Sequence, residues 1–200
     1  MLRILFVVAS SLALATALQF TDCATDPSNT ALTVHSLDIS PAVIVFPGQI
    51  RISTNITVNQ RITHLFIDTV LEKNTLGAWT KIPCIGSTNI GSCQNIDSCT
   101  ILDNILNGSS VVSQDFGQQI DAILLKALGH KASCPISPES VVINNESLTL
   151  QALPSTLSLI SQGKYRVTIS VKDDPTNPDN LGCIQFQAEI ARHVDPNQVG

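Results

Sequence analysis

The stretch from Gln49 to Asn59 alternates at every position. Ile50, Ile52, Ile56 and Val58 fall on one side with Thr54 among them, and Arg51, Ser53, Asn55, Thr57 and Asn59 fall on the other. A period of two is the mark of a strand with one dry face and one wet face. The same alternation recurs later, where Tyr165, Val167, Ile169 and Val171 interleave with Lys164, Arg166, Thr168 and Ser170. Ile184, Phe186, Ala188 and Ile190 make the inward face of a last strand. Leu32 to Ile39 and Ala42 to Phe46 predict shorter strands broken at Pro41, and Pro47-Gly48 turns the chain into the Gln49 strand. Ile62 to Glu72 is apolar on both faces, which predicts a central strand. From Val70 the chain reads as an apolar strand ending at Trp79, followed by a loop bearing Cys84 and Cys93. Val141 to Leu150 predicts a strand pair or one strand bent at Asn144-Asn145.

Two segments have helical spacing instead. Asp97 or Ser98 caps a short helix carrying Ile101, Leu102, Ile105 and Leu106. A second helix runs from Asp115 to Leu128, with Gly129 as its stop. Its apolar stripe is Phe116, Ile120, Ile123, Leu124, Ala127 and Leu128. Such a stripe either covers one end of a sheet or serves as a lid that rests on a membrane surface. The pattern predicts an all-β fold, an antiparallel sandwich with one or two short helices. The segment from Asp173 to Asn180 is a turn, and the tail from Asp195 to Gly200 is polar.

The chain opens with Arg3, an apolar run from Ile4 to Ala15, and the small-x-small triplet Ala15-Thr16-Ala17. This predicts a secretory signal over residues 1–17 and a single domain over 18–200. The apolar run falls short of the roughly 20 residues that a membrane-spanning helix needs. All six cysteines (Cys23, Cys84, Cys93, Cys99, Cys134 and Cys183) follow the signal, which favours disulfides in an oxidising compartment. Spacing alone allows about fifteen pairings. Zinc is a poor alternative, because the chain has no Cys-x-x-Cys pair and its four histidines are scattered. Asn55, Asn107 and Asn145 each begin an Asn-x-Ser/Thr sequon, and behind a signal they predict glycan sites. Asn55 belongs to the wet side of its strand, where a glycan must sit.

Composition narrows the function. Hydrophobic residues make up 44% of the chain but aromatics only 4%, so the dry faces are aliphatic. The net charge of −5 and the pI near 5.2 argue against nucleic acid as a partner. Below that pI, as in a lysosome, the protein turns net positive and repulsion from an anionic membrane fades. Catalysis finds no foothold, since neither a Gly-x-Ser-x-Gly elbow nor a His-Glu-x-x-His motif occurs. His35, His64, His130 and His193 read as strand or surface residues rather than bases. No cofactor or metal is expected. A strand wall followed by a cysteine-bearing loop suggests a container.

Several collinear pieces resemble the ganglioside GM2 activator family, grouped with the ML lipid-recognition proteins. They begin with Phe20 to Cys23, Leu37-Asp38-Ile39 with Pro41, Pro47-Gly48, Leu71-Glu72-Lys73, Gly77 to Cys84 and Gly91-Ser92-Cys93. They continue through Cys99 with Ile101-Leu102-Asp103, Cys134-Pro135, Leu153-Pro154-Ser155, Gly163 to Arg166 and Leu181 to Ile184. The resemblance implies disulfides joining Cys23 to Cys183, Cys84 to Cys93 and Cys99 to Cys134. It implies an antiparallel β-cup whose two sheets hold an apolar lipid cavity. It implies a lysosomal or extracellular carrier that extracts a glycosphingolipid from a membrane, touching that surface transiently. The carrier then presents the lipid to a soluble β-N-acetylhexosaminidase-like hydrolase. The family's fourth disulfide has no cysteines here, so the segment from Asn107 to Ser133 departs most. A family rim loop corresponds to Leu153 through Leu157, with Thr156 where the family places Trp. These departures keep a second reading open: a secreted carrier or sensor of a phospholipid, a sterol or a microbial lipid. Trp79 is expected as a cavity wall residue. Ile120, Leu124, Leu157, Leu159 and Ile160 complete the candidate cavity and rim, Leu157, Leu159 and Ile160 reading equally well as core.

Overall fold

The computed structural model describes residues 20–26, 30–85, 89–106, 114–153, 162–177 and 180–192. Its strands are β1 (Phe20–Asp22), β2 (Leu32–Ser40), β3 (Val43–Phe46), β4 (Gly48–Val58), β5 (Phe66–Thr75), β6 (Ala78–Lys81) and β7 (Ile96–Asp97). Helices α1 (Ser98–Leu106) and α2 (Gln114–Leu128) follow, then β8 (Glu139–Leu150), β9 (Gly163–Lys172) and β10 (Gly182–Arg192). One sheet runs β1-β10-β9-β5-β6, with β3 added to β10 and β7 to β5. The other is β2-β4-β8. The strand pairs are antiparallel except β3 with β10, which run parallel. The fold is all-β, as the alternation predicts.

Register sorts the side chains onto faces. In the larger sheet Leu71, Val167 and Phe186 line up across three strands, as do Thr69, Ile169 and Ile184. Glu72, Arg166 and Gln187 line up on the opposite face, so this sheet has one aliphatic and one polar side. In the smaller sheet Ile52 of β4 pairs with Ile39, and Ile56 pairs with Val34 and Val141. A bulge at Asn144-Asn145, where Asn145 takes φ 50, bends β8 as a single strand.

Two expectations need correction. The central strand begins at Phe66, not near Ile62, because the chain bends at Thr63-His64 and Ile62 makes an isolated bridge to Ile136. The run ending at Trp79 is not one strand. It reverses at Leu76-Gly77, with φ of 53 and 91, and returns as β6. Two consecutive positive φ values make the two-residue hairpin turn whose twist matches its strands. The Asn74 carboxamide accepts the Gly77 N–H at 3.0 Å and steadies that turn.

The helices start and stop for local reasons. Asp97 caps α1, since its carboxylate accepts the Thr100 N–H at 3.0 Å and the Thr100 hydroxyl at 2.8 Å. These bonds hold the Asp97 carboxyl below its ordinary value of 3.8. The cap's contribution is therefore complete above that value and fades as pH falls through the depressed one. Asp97→Ala is expected to cost about 1 kcal/mol in urea unfolding at neutral pH. The cost should shrink as pH falls through that depressed value, and a cost undiminished in acid would contradict the capping account. Helix α2 ends where Gly129, at φ +74, donates its N–H to the Leu125 carbonyl.

The fold has two separate apolar clusters. One groups Ile50, Leu148 and Leu150 of the smaller sheet with Ile123 of α2, and Phe116, Ile120, Ile44 and Phe46 pack against it. The other groups Ala31, Val58 and Ile62, with Leu65, Ile136 and Leu181 around them. Ile50 and Val58 lie toward opposite ends of β4, about 27 Å apart along an extended strand. Three disulfides pin the frame: Cys23 to Cys183, Cys84 to Cys93 and Cys99 to Cys134.

Candidate functional site

Between the two clusters lies the aliphatic face of β5, β9 and β10. Ile67, Leu71, Val167, Ile169, Ile184, Phe186, Ala188 and Ile190 are each only half-buried, and none belongs to either cluster. Apolar side chains facing into a filled sandwich end fully buried. Tyr165 and Val171 of β9 do so, at 2% and 8% exposure. On the smaller sheet, the inward position midway along β4 is Thr54, whose hydroxyl is buried and donates to the Ser36 carbonyl at 2.8 Å. The arrangement is an aliphatic wall with closed ends and a half-buried middle.

The polar face of the larger sheet is tied by charge. Arg166 Nε donates to Glu72 at 2.7 Å, and its guanidinium lies 4.7 Å from the centre of the Trp79 ring. Trp79 pairs with Asn74 and so shares the side of Glu72 and Arg166. This corrects the expectation of a cavity wall residue: Trp79 is half-buried on the polar face, opposite the aliphatic one. Lys172 bonds Asp68 at 2.6 Å. Burial pushes the Asp68 carboxyl up, but its bonds from Lys172 and from the Asn95 N–H outweigh that and hold it below its ordinary value.

Helix α2 covers the free edge of β8. The Thr149 N–H donates to Gln119 Oε1 at 2.7 Å, and Gln119 Nε2 donates back to the Thr149 carbonyl at 3.4 Å. The carboxamide thus takes the place of a neighbouring strand. Lys126 pairs with Glu146, and His130 Nε2 lies 3.0 Å from Glu139. The stripe of α2 covers one end of the smaller sheet, as the first sequence reading has it, with Ile120 in the cluster and Leu124 half-buried. His130 is raised above its ordinary value by the Lys131 carbonyl and then by Glu139. Its contribution is therefore complete below pH 6.5 and lost as pH rises through the raised value. Amide exchange at the α2–β8 junction, corrected for intrinsic rates, should be slower at pH 5.5 than at pH 8. His130→Ala should erase that difference, and a wild type showing none would contradict the account.

Leu157, Leu159, Ile160 and Asn107 lie outside the described residues. Sequence reasoning missed Leu76, which stands fully exposed (102%) at the tip of the β5–β6 hairpin. A leucine followed by glycine between two β runs was the available signal. No described helix is long and apolar enough to cross a membrane. Among the described residues no group of His, Cys, Asp and Glu is placed to hold a metal ion.

Comparison with known proteins gives several likenesses. Ganglioside GM2 activator of Macaca fascicularis is 25% identical over 158 residues, covering 78% of this chain and 75% of that protein. Ganglioside GM2 activator of Mus musculus is 24% identical over 163 residues, covering 78% and 74%. The crystal structure of a Niemann-Pick type C2 protein from Japanese carpenter ant superposes with a TM-score of 0.42 at 11% identity, over 86% of this chain and 98% of that one. That superposition is too loose to carry an argument. The ML domain family model matches residues 17–190, nearly the whole chain, so the protein belongs to the ML domain family.

Proposed function

We propose that this protein is a non-enzymatic lipid carrier of the secretory pathway, resident in the lysosome or outside the cell. It extracts a glycosphingolipid from a membrane and presents it to a soluble glycosidase of the β-N-acetylhexosaminidase type. The observation that carries this reading is the aliphatic wall of β5, β9 and β10, half-buried and outside both core clusters. Membership of the ML domain family and the likeness to ganglioside GM2 activators support it.

The energetics favour such a device. Each methylene sheltered from water is worth about 0.8 kcal/mol, so a sixteen-carbon chain carries on the order of 12 kcal/mol. Only a deep dry surface recovers that much. A soluble hydrolase cannot reach a sugar lying close against a bilayer, and a carrier removes that obstacle. Leu76 suits the transient membrane contact, because an apolar side chain held out on a tight turn enters the interface at little cost.

The test is transfer of a radiolabelled ganglioside between vesicles, followed by its hydrolysis with added β-N-acetylhexosaminidase. Both rates should rise with protein concentration, and Leu76→Asp should slow vesicle extraction by about tenfold. Transfer of sterol or phospholipid with no transfer of ganglioside would replace this reading with a carrier for another lipid. The absence of the family's fourth disulfide, with α2 held by Gln119, Lys126 and His130 instead, favours that second reading.

A further inference from the structure

We propose that the outer face of the β2-β4-β8 sheet is a glycan-bearing shield, carrying chains on Asn55 and Asn145 that keep copies of the protein from associating through it. The proposal rests on the secretory reading above. Asn55 lies on the central strand β4, opposite Ser36 and Val142. Asn145 lies in the β8 bulge and donates its backbone N–H to the Ser53 hydroxyl at 2.9 Å. Ser53 and Asn55 share the outward side of β4, so both sequons open onto one surface. Two residues along a strand and one strand across put them about 8 Å apart.

Both sites lie on the outward side of the sheet. Asn145 is exposed and sits at φ 50 in the bulge, where the extra residue is left out of the ladder pairing. Asn55 is half-buried, and its carboxamide oxygen is buried without a partner. The surface between them explains why covering is useful. Val142, directly across from Asn55, is an exposed valine at 43%. Around it the face is hydroxyl-rich (Ser36, Ser40, Ser140, Ser147), with Asp38 and Arg51 as charges toward one end. A sheet face with an exposed valine among neutral hydroxyls offers a surface for self-association, and two glycans cover it. The exposed Leu76 tip belongs to the other sheet, so the shield leaves it free.

The experiment uses the full chain recovered from the medium of a eukaryotic secretory host. Peptide-N-glycosidase in ¹⁸O water should leave labelled aspartate at positions 55 and 145. Asn55→Gln and Asn145→Gln should each remove one labelled site, and hydroxyl-radical labelling of Val142 should rise in the double variant. Binding of that variant to phosphatidylcholine–phosphatidylserine vesicles should match the wild type. Secreted, disulfide-bonded protein with bare Asn55 and Asn145 would overturn the shield and leave the carrier reading standing. Retention in the cytosol with free thiols would overturn the secretory reading and the shield together. A marked gain in vesicle binding without glycans would show that this face docks, which also overturns the proposal.

Discussion

Ile169→Trp should leave the thermal midpoint unchanged or slightly raised, and should empty the protein of bound lipid. Ile169 sits mid-strand on the aliphatic face of β9, opposite Ile184 and Thr69. It is half-buried and packs in neither core cluster. In a filled interior, a side chain that much larger forces strain costing about 1–3 kcal/mol. For a domain of this size that is a fall of roughly 2–12 °C. Where the wall borders a hollow, the indole enters free space and gains contacts. The same indole then occupies the volume an acyl chain needs. Scanning calorimetry with lipid extraction of the purified variant reads both effects. A large fall in midpoint with lipid retained would mean that the sheets already fill the space between them.

Removing the Cys23–Cys183 disulfide as a double alanine variant should be the most destabilising of the three removals. Its sequence separation is 160, against 35 for Cys99–Cys134 and 9 for Cys84–Cys93. In the loop-entropy model these closures are worth about 5, 4 and 2.5 kcal/mol. The first is comparable with the whole stability of a marginal domain. It also joins the end of β1 to the start of β10, where the Cys23 N–H donates to the Cys183 carbonyl at 3.1 Å. Urea unfolding should show its midpoint shifted down by roughly 2 M. A larger loss on removing Cys84–Cys93 would show that local strain, not chain closure, sets the order.

Much of this architecture was legible in the residues. β4 could be read because every second residue but Thr54 is aliphatic and its wet positions are Arg, Ser, Asn and Thr. Helix α2 was bounded by its stripe and by Gly129, whose left-handed backbone the structure confirms. The β8 bend was legible from Asn144-Asn145, since asparagine tolerates φ > 0 better than most residues. What escaped depends on partners distant in sequence. The β5–β6 turn places a leucine at φ 53, where the usual Asn-Gly signal is absent. The parallel pairing of β3 with β10 joins Val43 to Glu189, and no local pattern encodes it. The side taken by Trp79 follows from where β5 turns, so misplacing the turn misplaced the indole. Cysteine spacing left the pairing open, and the resemblance to a family supplied the one the structure has. The aliphatic wall could be listed from sequence, but its half-burial could not, because a hollow and a filled core share the same alternation.

Native mass spectrometry bears most directly on whether fatty tails fit between the sheets. Protein incubated with ganglioside-containing vesicles and re-isolated should carry one two-chain lipid per molecule, and the complex should survive desolvation. Protein that emerges bare from every vesicle composition, folded and with its three disulfides intact, would contradict the account.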